Sequence, residues 1–321
     1  GLEAAAVTIE TAPDSGTRLR TEVAANIDPD APVFARQMLT EIVDRYPQGS
    51  ARLSAYVTVT FRATEAGGGS GKRSASEVGR DLAARLPALI TGLEATGAGA
   101  AEPMDAARLC EVVRTAYDPA TATLIDEAHA EGEPAQLWWP EAGPMAHEAH
   151  WDYYLHDSGL SVTWSMSAAP RGSVQSSVLS RLLQPHRDIT RKRVTLLYRP
   201  VDPARAAAIV EADVRAAEFR ATASKKPSAR DLGAVRSAAA TASEEAAGAG
   251  LVNFALLVTA TVTNPQGRRE AQAAVDMLAA TARIRLRPVY GSQDAAFAAC
   301  LPLGLVLSKH AKMPTELTEA M

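Results

Sequence analysis

Two segments of the chain share one hydrophobic signature. Val57-Thr58-Val59-Thr60-Phe61-Arg62 and Val194-Thr195-Leu196-Leu197-Tyr198-Arg199 both read V-T-x-x-aromatic-R, and β-branched and aromatic residues in short runs favour strands. A period of two predicts Val57, Val59, Val194 and Leu196 facing inward, with Thr58 and Thr195 on the opposite face. Further strands are expected at 4–10, 159–167, 252–263 and 284–289, with a weaker one at 96–102. Between them the period lengthens toward 3.6 residues. This predicts helices at 30–46, 76–94, 104–117, 120–131, 173–183, 203–219, 229–247, 267–283 and 292–300.

Strands alternating with helices define an α+β protein with helices packed on mixed or antiparallel sheets. The repeated hexapeptide divides it into two similar strand–helix halves of the ferredoxin-like, split β-α-β kind. A second echo, Asp105-Ala106-Ala107 and Asp294-Ala295-Ala296 at the starts of two predicted helices, fits the same division. The expected organisation is a first half at 1–132, an aromatic-rich junction at 133–158, a second half at 159–313 and a loose tail at 314–321.

At 321 residues the chain can bury a large core. A net charge of -4 argues against a surface built for nucleic acid, and no direct nucleic-acid partner is expected. The one concentrated basic run is Arg187, Arg191, Lys192, Arg193 and Arg199. Strand alternation splits it, with Arg191 and Arg193 on one face and Lys192 on the other. Cys110 and Cys300 each sit in an apolar run and read as buried thiols. No run approaches the roughly 20 apolar residues of a membrane span. The opening on Gly1, directly ahead of a strand, reads as a piece of a longer protein.

Catalytic motifs are scarce. The run Gly67-Gly68-Gly69-Ser70-Gly71-Lys72-Arg73 resembles a phosphate-binding loop, but Ala66 stands at the first glycine position and Arg73 where the metal-binding hydroxyl belongs. No nucleotide or other cofactor is expected. His147, His150, Asp152 and His156 are the best metal-ligand set by composition, yet the spacing is not H-E-x-x-H, and no metal site is assigned. No Gly-x-Ser-x-Gly elbow is present, and neither cysteine neighbours a histidine. Pairs such as Asp126-Glu127 and Glu244-Glu245 read as surface charge. The remaining concentration is aromatic: Trp138, Trp139, Trp151, Tyr153 and Tyr154 crowd a chain with only 5% Phe, Trp and Tyr. Aromatic residues anchor protein interfaces, so these five are the candidate partner-binding residues and no catalytic residue is assigned. The alternative is an enzyme or ligand-binding domain, with or without a metal, that uses the histidine- and tryptophan-rich segment 138–156.

Several runs together resemble one family. They are Asp188-Ile189-Thr190-Arg191-Lys192-Arg193-Val194-Thr195-Leu196-Leu197-Tyr198-Arg199-Pro200, the helix that follows, the strand at 254–263, and the ending Gln293-Asp294-Ala295-Ala296-Phe297-Ala298-Ala299-Cys300-Leu301-Pro302-Leu303-Gly304. They are similar to the soluble domain of an actinobacterial group of integral membrane proteins associated with conjugative, type IV secretion-like machinery. The strand–Arg-Pro element and the Leu-Pro-x-Gly ending also resemble, more distantly, the N-terminal non-ATPase domain of large conjugative transfer ATPases. The resemblance implies a non-catalytic scaffold at the cytoplasmic face of the cell membrane, anchored by membrane segments absent from this chain. Its implied partners are a separate transfer ATPase and the membrane channel subunits.

Overall fold

In a computed structural model of the chain, residues 2–14, 28–45, 51–61, 73–133, 135–168, 176–223 and 227–305 are described. The first strand, β1 (Leu2–Pro13), is followed by α1 (Val33–Arg45) and β2 (Ala51–Phe61). Four helices come next: α2 (Ala75–Glu94), α3 (Ala106–Tyr117), α4 (Thr121–Ala130) and the single-turn α5 (Trp139–Ala142). Three strands, β3 (His147–Ala149), β4 (Tyr154–His156) and β5 (Gly159–Ala168), lead through the short α6 (Ser180–Leu183) to β6 (Arg191–Pro200). The chain continues as α7 (Pro203–Thr222), α8 (Ala229–Ala246), β7 (Val252–Val262), α9 (Arg268–Thr281), β8 (Arg285–Pro288) and α10 (Gln293–Ala299).

The protein is mixed α+β, and its strands form one eight-stranded sheet in the order β2-β1-β6-β7-β5-β4-β3, with β8 also paired to β5. Every pairing is antiparallel. β1 bridges to β6 from Ala5–Tyr198 to Thr11–Lys192, so strands from 1–132 and 159–313 share a single ladder. The segment 133–158 contributes β3 and β4 to that same sheet. The two V-T-x-x-aromatic-R strands flank β1 on either side, but β2 is the edge strand and β6 lies inside the sheet. They do not occupy equivalent central places. Arg62 and the glycine-rich run 67–72 lie outside the described residues, as does the 314–321 tail.

Alternation sorts the side chains onto two covered faces. Val194 lies opposite Ile9 and Val258, and Val258 opposite Trp164, building an apolar face with Leu160, Val162, Leu256, Ala260 and Val262. α9 lays Ala271, Ala274, Val275 and Leu278 on it, the i, i+3, i+4, i+7 stripe of an amphipathic helix. Val194 and Leu196 point to this core as expected. Val57 does not: it is 45% exposed, because α9 and α6 cover the middle of the sheet and no described helix buries Val57 at its edge.

The other face is built from hydroxyls. Thr8 and Thr195 hydrogen-bond at 3.0 Å, Thr163 and Thr259 at 2.9 Å, and Ser161 and Thr261 at 2.7 Å. Each pair spans two neighbouring strands, so every hydroxyl finds a partner without water. α3, α10 and the turn after α10 cover this face with Cys110, Val113, Ala116, Phe297 and Leu301. Both cysteines are buried and free, as their apolar neighbours predicted.

Several helix starts follow from their caps. Asp105 caps α3 by accepting from the Arg108 N–H at 2.7 Å, and Ser74 with Glu77 closes a capping box on α2. The expected strand at 96–102 is absent. Gly97 and Gly99 adopt positive φ (78° and 103°), which L residues disfavour and which turns the chain away from extended pairing. Asp126 is buried beside Arg52 at 3.3 Å rather than solvated. β6 and β7 remain paired out to Pro200–Val252, and α7 and α8 are inserted between those paired ends. At 1.5 Å per residue this helical pair extends about 30 Å, with α7 burying Ala206, Val210, Ala217 and Ala221. The two helices pack chiefly on each other.

Candidate functional site

The aromatic segment is held by one ion-paired knot. At the tight turn from β4 to β5, Asp157 takes a positive φ of 35°. Its carboxylate accepts from the backbone N–H of Met145 (3.0 Å) and Ala146 (2.8 Å) and from Arg114 Nη2 (2.8 Å). Arg114, on α3, also donates to Asp118 at 2.8 Å and to the Gly143 carbonyl at 2.7 Å. Ser158 donates to the Asp118 carboxylate and accepts from the Ala120 N–H. The hydroxyl and arginine partners hold the Asp118 carboxyl below its ordinary range against the upward pull of its burial. These bonds tie 143–146 and the β4–β5 turn to α3, so the aromatic segment has a rigid mount.

On this mount the five candidate residues part company. Trp138, Trp139 and Trp151 are 73%, 56% and 70% exposed. Trp139 opens α5, whose turn is closed by the Trp138 N–H bond to Glu141 Oε2 at 2.9 Å. Trp151 stacks on Tyr290 with centroids 6.1 Å apart and planes 17° from parallel, and its carbonyl accepts from the Gly291 N–H at 2.8 Å. Met145 is exposed on the same segment. Tyr153 is half-buried under Arg268, whose guanidinium carbon stands 4.4 Å from the ring centroid, and it stacks on His150 at 4.1 Å.

Tyr154 is a correction. It points into the core among Cys110, Val113, Phe297 and Leu301, and burial pushes its hydroxyl pKa up. The strand period explains this: Tyr154 and His156 share one face of β4, and that face lies under α3 and α10. A residue so placed contributes to stability and offers no surface to a partner.

The histidines also separate. His156 is buried, with Nδ1 donating to the Tyr117 carbonyl at 2.5 Å and Nε2 accepting from Ser161 Oγ at 2.7 Å, which accepts in turn from Thr261. Burial, the largest influence, drives its pKa down to about 4, and these roles are those of the resulting neutral imidazole. His147 pairs with His156 in the ladder, but its own side chain is exposed. His150 lies 3.2 Å from Glu148, and Asp152 is ion-paired with Arg268 at 3.0 Å. Among the described residues no three His, Cys, Asp or Glu side chains converge as a metal-ligand group.

A buried charge cluster and a buried lysine escaped the sequence. Glu10, Arg191 and Arg193 form a buried cluster in which Glu10 Oε1 accepts from Arg191 Nε and Nη2 and from Arg193 Nε at 3.1–3.2 Å. Burial pulls the Glu10 carboxyl upward, but the two guanidiniums prevail and hold it below its usual range. Arg193 also lies over the Phe297 ring, 5.1 Å from its centroid. Lys192 points from the other face of β6 and is buried too. The alternating R-K-R run announced opposite faces, but nothing local announced that both faces are covered.

No protein-family model matches the chain, and a comparison with curated proteins finds no relative. Among the described residues no helix is long and apolar enough to cross a membrane.

Proposed function

We propose that this chain is a non-catalytic scaffold of a membrane-associated secretion or conjugation machine, and that it docks a separate transfer ATPase to the membrane channel. The observation that carries the docking role is the exposure of three tryptophans on a segment pinned by Asp157 and Arg114. Tryptophans held out in water on a fixed mount lose little conformational entropy on contact, and buried tryptophan anchors dominate interface energetics. The machine, the ATPase and placement at the cytoplasmic face of the membrane rest on the family resemblance, which sets membrane helices ahead of the soluble domain. The buried polar groups fit a structural role. Their donors and acceptors are engaged largely with one another in hydroxyl pairs and in the Glu10 cluster.

The test is binding of the purified chain to the cognate transfer ATPase, measured by surface plasmon resonance for wild type and for Trp138→Ala with Trp139→Ala. The expected result is a loss of roughly 30- to 1,000-fold in affinity, corresponding to about 2–4 kcal/mol, with an unchanged thermal transition. Unchanged affinity in a folded double mutant overturns this placement of the interface.

A further inference from the structure

One end of the sheet carries a buried lysine that meets no carboxylate among the described residues. Lys192, near the start of β6, is 2% exposed, and its ammonium donates to the Gln184 carbonyl. Lysine is almost never fully buried unless paired, because desolvating an ammonium is costly. Among the described residues no carboxylate is in ion-pair contact with it. Burial accordingly lowers its pKa to about 8.

Lys192 also lines a cleft of about 470 Å³ between the end of β1, the start of β2 and the loop before β6, a size typical of small-molecule sites. Pro13, Ala51, Pro185 and Ile189 give it an apolar stretch of wall, beside the hydroxyl residues Thr11 and Thr190. His186 and Arg187 stand on its rim, but Asp188 lies 3.6 Å from each of them and offsets their charge. On the strands beside Lys192, its cross-strand neighbours Thr11 and Ala260 are uncharged, and the Thr11 hydroxyl is committed to the Leu183 carbonyl at 2.9 Å. Among the described residues that line the cleft, the charge left unbalanced is therefore a single positive one.

We infer that the cleft bounded by Lys192, Pro13, Ala51 and Ile189 is a binding site for an aliphatic carboxylate, with Lys192 as the anchoring cation. A monoanion matches the single charge, and a hydrocarbon body matches the apolar stretch of wall. The same chemistry is presented by a free aliphatic acid and by a peptide C-terminus ending in an aliphatic residue. Binding supplies the counter-charge that Lys192 lacks, so its pKa rises in the complex. Affinity is then level between about pH 6 and 8, where the carboxylate is ionised and Lys192 carries its proton, and falls as pH climbs from 8 toward the midpoint of the complex.

The chain contains six lysines, so the intact protein labelled with 13C at the lysine ε-carbon gives a countable set of signals. Lys192→Met, expected to fold at least as stably because it removes a buried charge, assigns the signal of interest. At constant ionic strength, hexanoate is expected to raise the Lys192 midpoint saturably by about one pH unit. 1-Hexanol and chloride are expected to leave it in place. A second arm uses acetyl-glycyl-valine: tighter binding than hexanoate identifies a peptide terminus as the source, weaker binding a free acid. If Lys192→Met does not fold, Ala51→Leu, which fills the cleft from β2, is expected to abolish the hexanoate shift instead. A midpoint indifferent to both carboxylates, or moved equally by chloride, overturns the site.

Discussion

His156 faces Gly159 across the β4–β5 pair, and a Cβ on that glycine would stand 2.6 Å from His156 Cε1 and 3.2 Å from Thr261 Cγ2. The glycine is there for space, since the imidazole fills the position a methyl group would take. Gly159→Ala forces His156 away from Tyr117 and Ser161 and is expected to cost about 1–3 kcal/mol, the usual range for overpacking. Urea denaturation monitored by tryptophan fluorescence measures this. A midpoint equal to wild type would show that the imidazole moves freely and that its hydrogen bonds contribute little.

The buried imidazole also makes stability depend on pH. Its pKa is about 4 in the folded protein, below the ordinary histidine value of 6.5, so the unfolded chain binds the proton more tightly. Stability is therefore full above about pH 6.5 and declines as pH falls toward 4, by up to about 3 kcal/mol. In His156→Gln the slope of unfolding free energy against pH between 6.5 and 5, above most carboxylate titrations, is expected to flatten. An unchanged slope in that window would assign the proton uptake to another group.

Among the described residues Glu10 is the one carboxylate shared by Arg191 and Arg193. Arg193 Nη1 and Nη2 have no hydrogen-bond partner among the described residues, so this guanidinium has little to fall back on. Glu10→Gln leaves two buried cations without a counter-charge and is expected to cost about 3–5 kcal/mol. Changing the cluster together, with Glu10→Leu, Arg191→Met and Arg193→Met, is expected to restore most of that loss, because desolvated charge is removed along with the pair. Thermal unfolding of the single and triple variants reads both outcomes. A triple variant less stable than Glu10→Gln would mean that the charges direct packing as well as balancing each other.

The neighbouring aromatic residues divide between surface and core, and their substitution should divide likewise. Trp138→Ala is expected to change stability by no more than about 0.5 kcal/mol, as for an ordinary exposed position. Tyr154→Ala empties a site among Cys110, Phe297 and Leu301 and is expected to cost about 3–5 kcal/mol. Calorimetric melting of the two variants makes the comparison, and similar losses in both would mean that Trp138 packs in solution.

Much of the local architecture was legible because it rests on nearest-neighbour chemistry. The strand at 252–263 and the helix at 267–283 match β7 and α9 within a few residues, since β-branched runs and a 3.6-residue apolar stripe act within one element. Asp105 stands as the N-cap of α3. The opposite facing of Val194 and Thr195 followed from pleating alone. The concentration of tryptophan in 133–158 was likewise visible in composition, and Trp138, Trp139 and Trp151 do reach solvent.

What stayed hidden depends on contacts between residues far apart in the chain. Val57 and Leu196 align through Val7 in one register, yet Val57 is exposed and Leu196 is half-buried, because a helix lies over the middle of the sheet and no described helix buries Val57 at its edge. Tyr154 turns inward and Trp151 outward, although both lie in the same aromatic run. Pleating distinguishes two faces but cannot say which of them α3 and α10 will cover. The R-K-R run read only as charge divided between two faces of a strand, because its counter-ion, Glu10, lies 181 residues from Arg191. Residue type and spacing specify each element and the two faces it offers; burial, and with it the charge state of Glu10, His156 and Lys192, arises only when distant elements exclude water together.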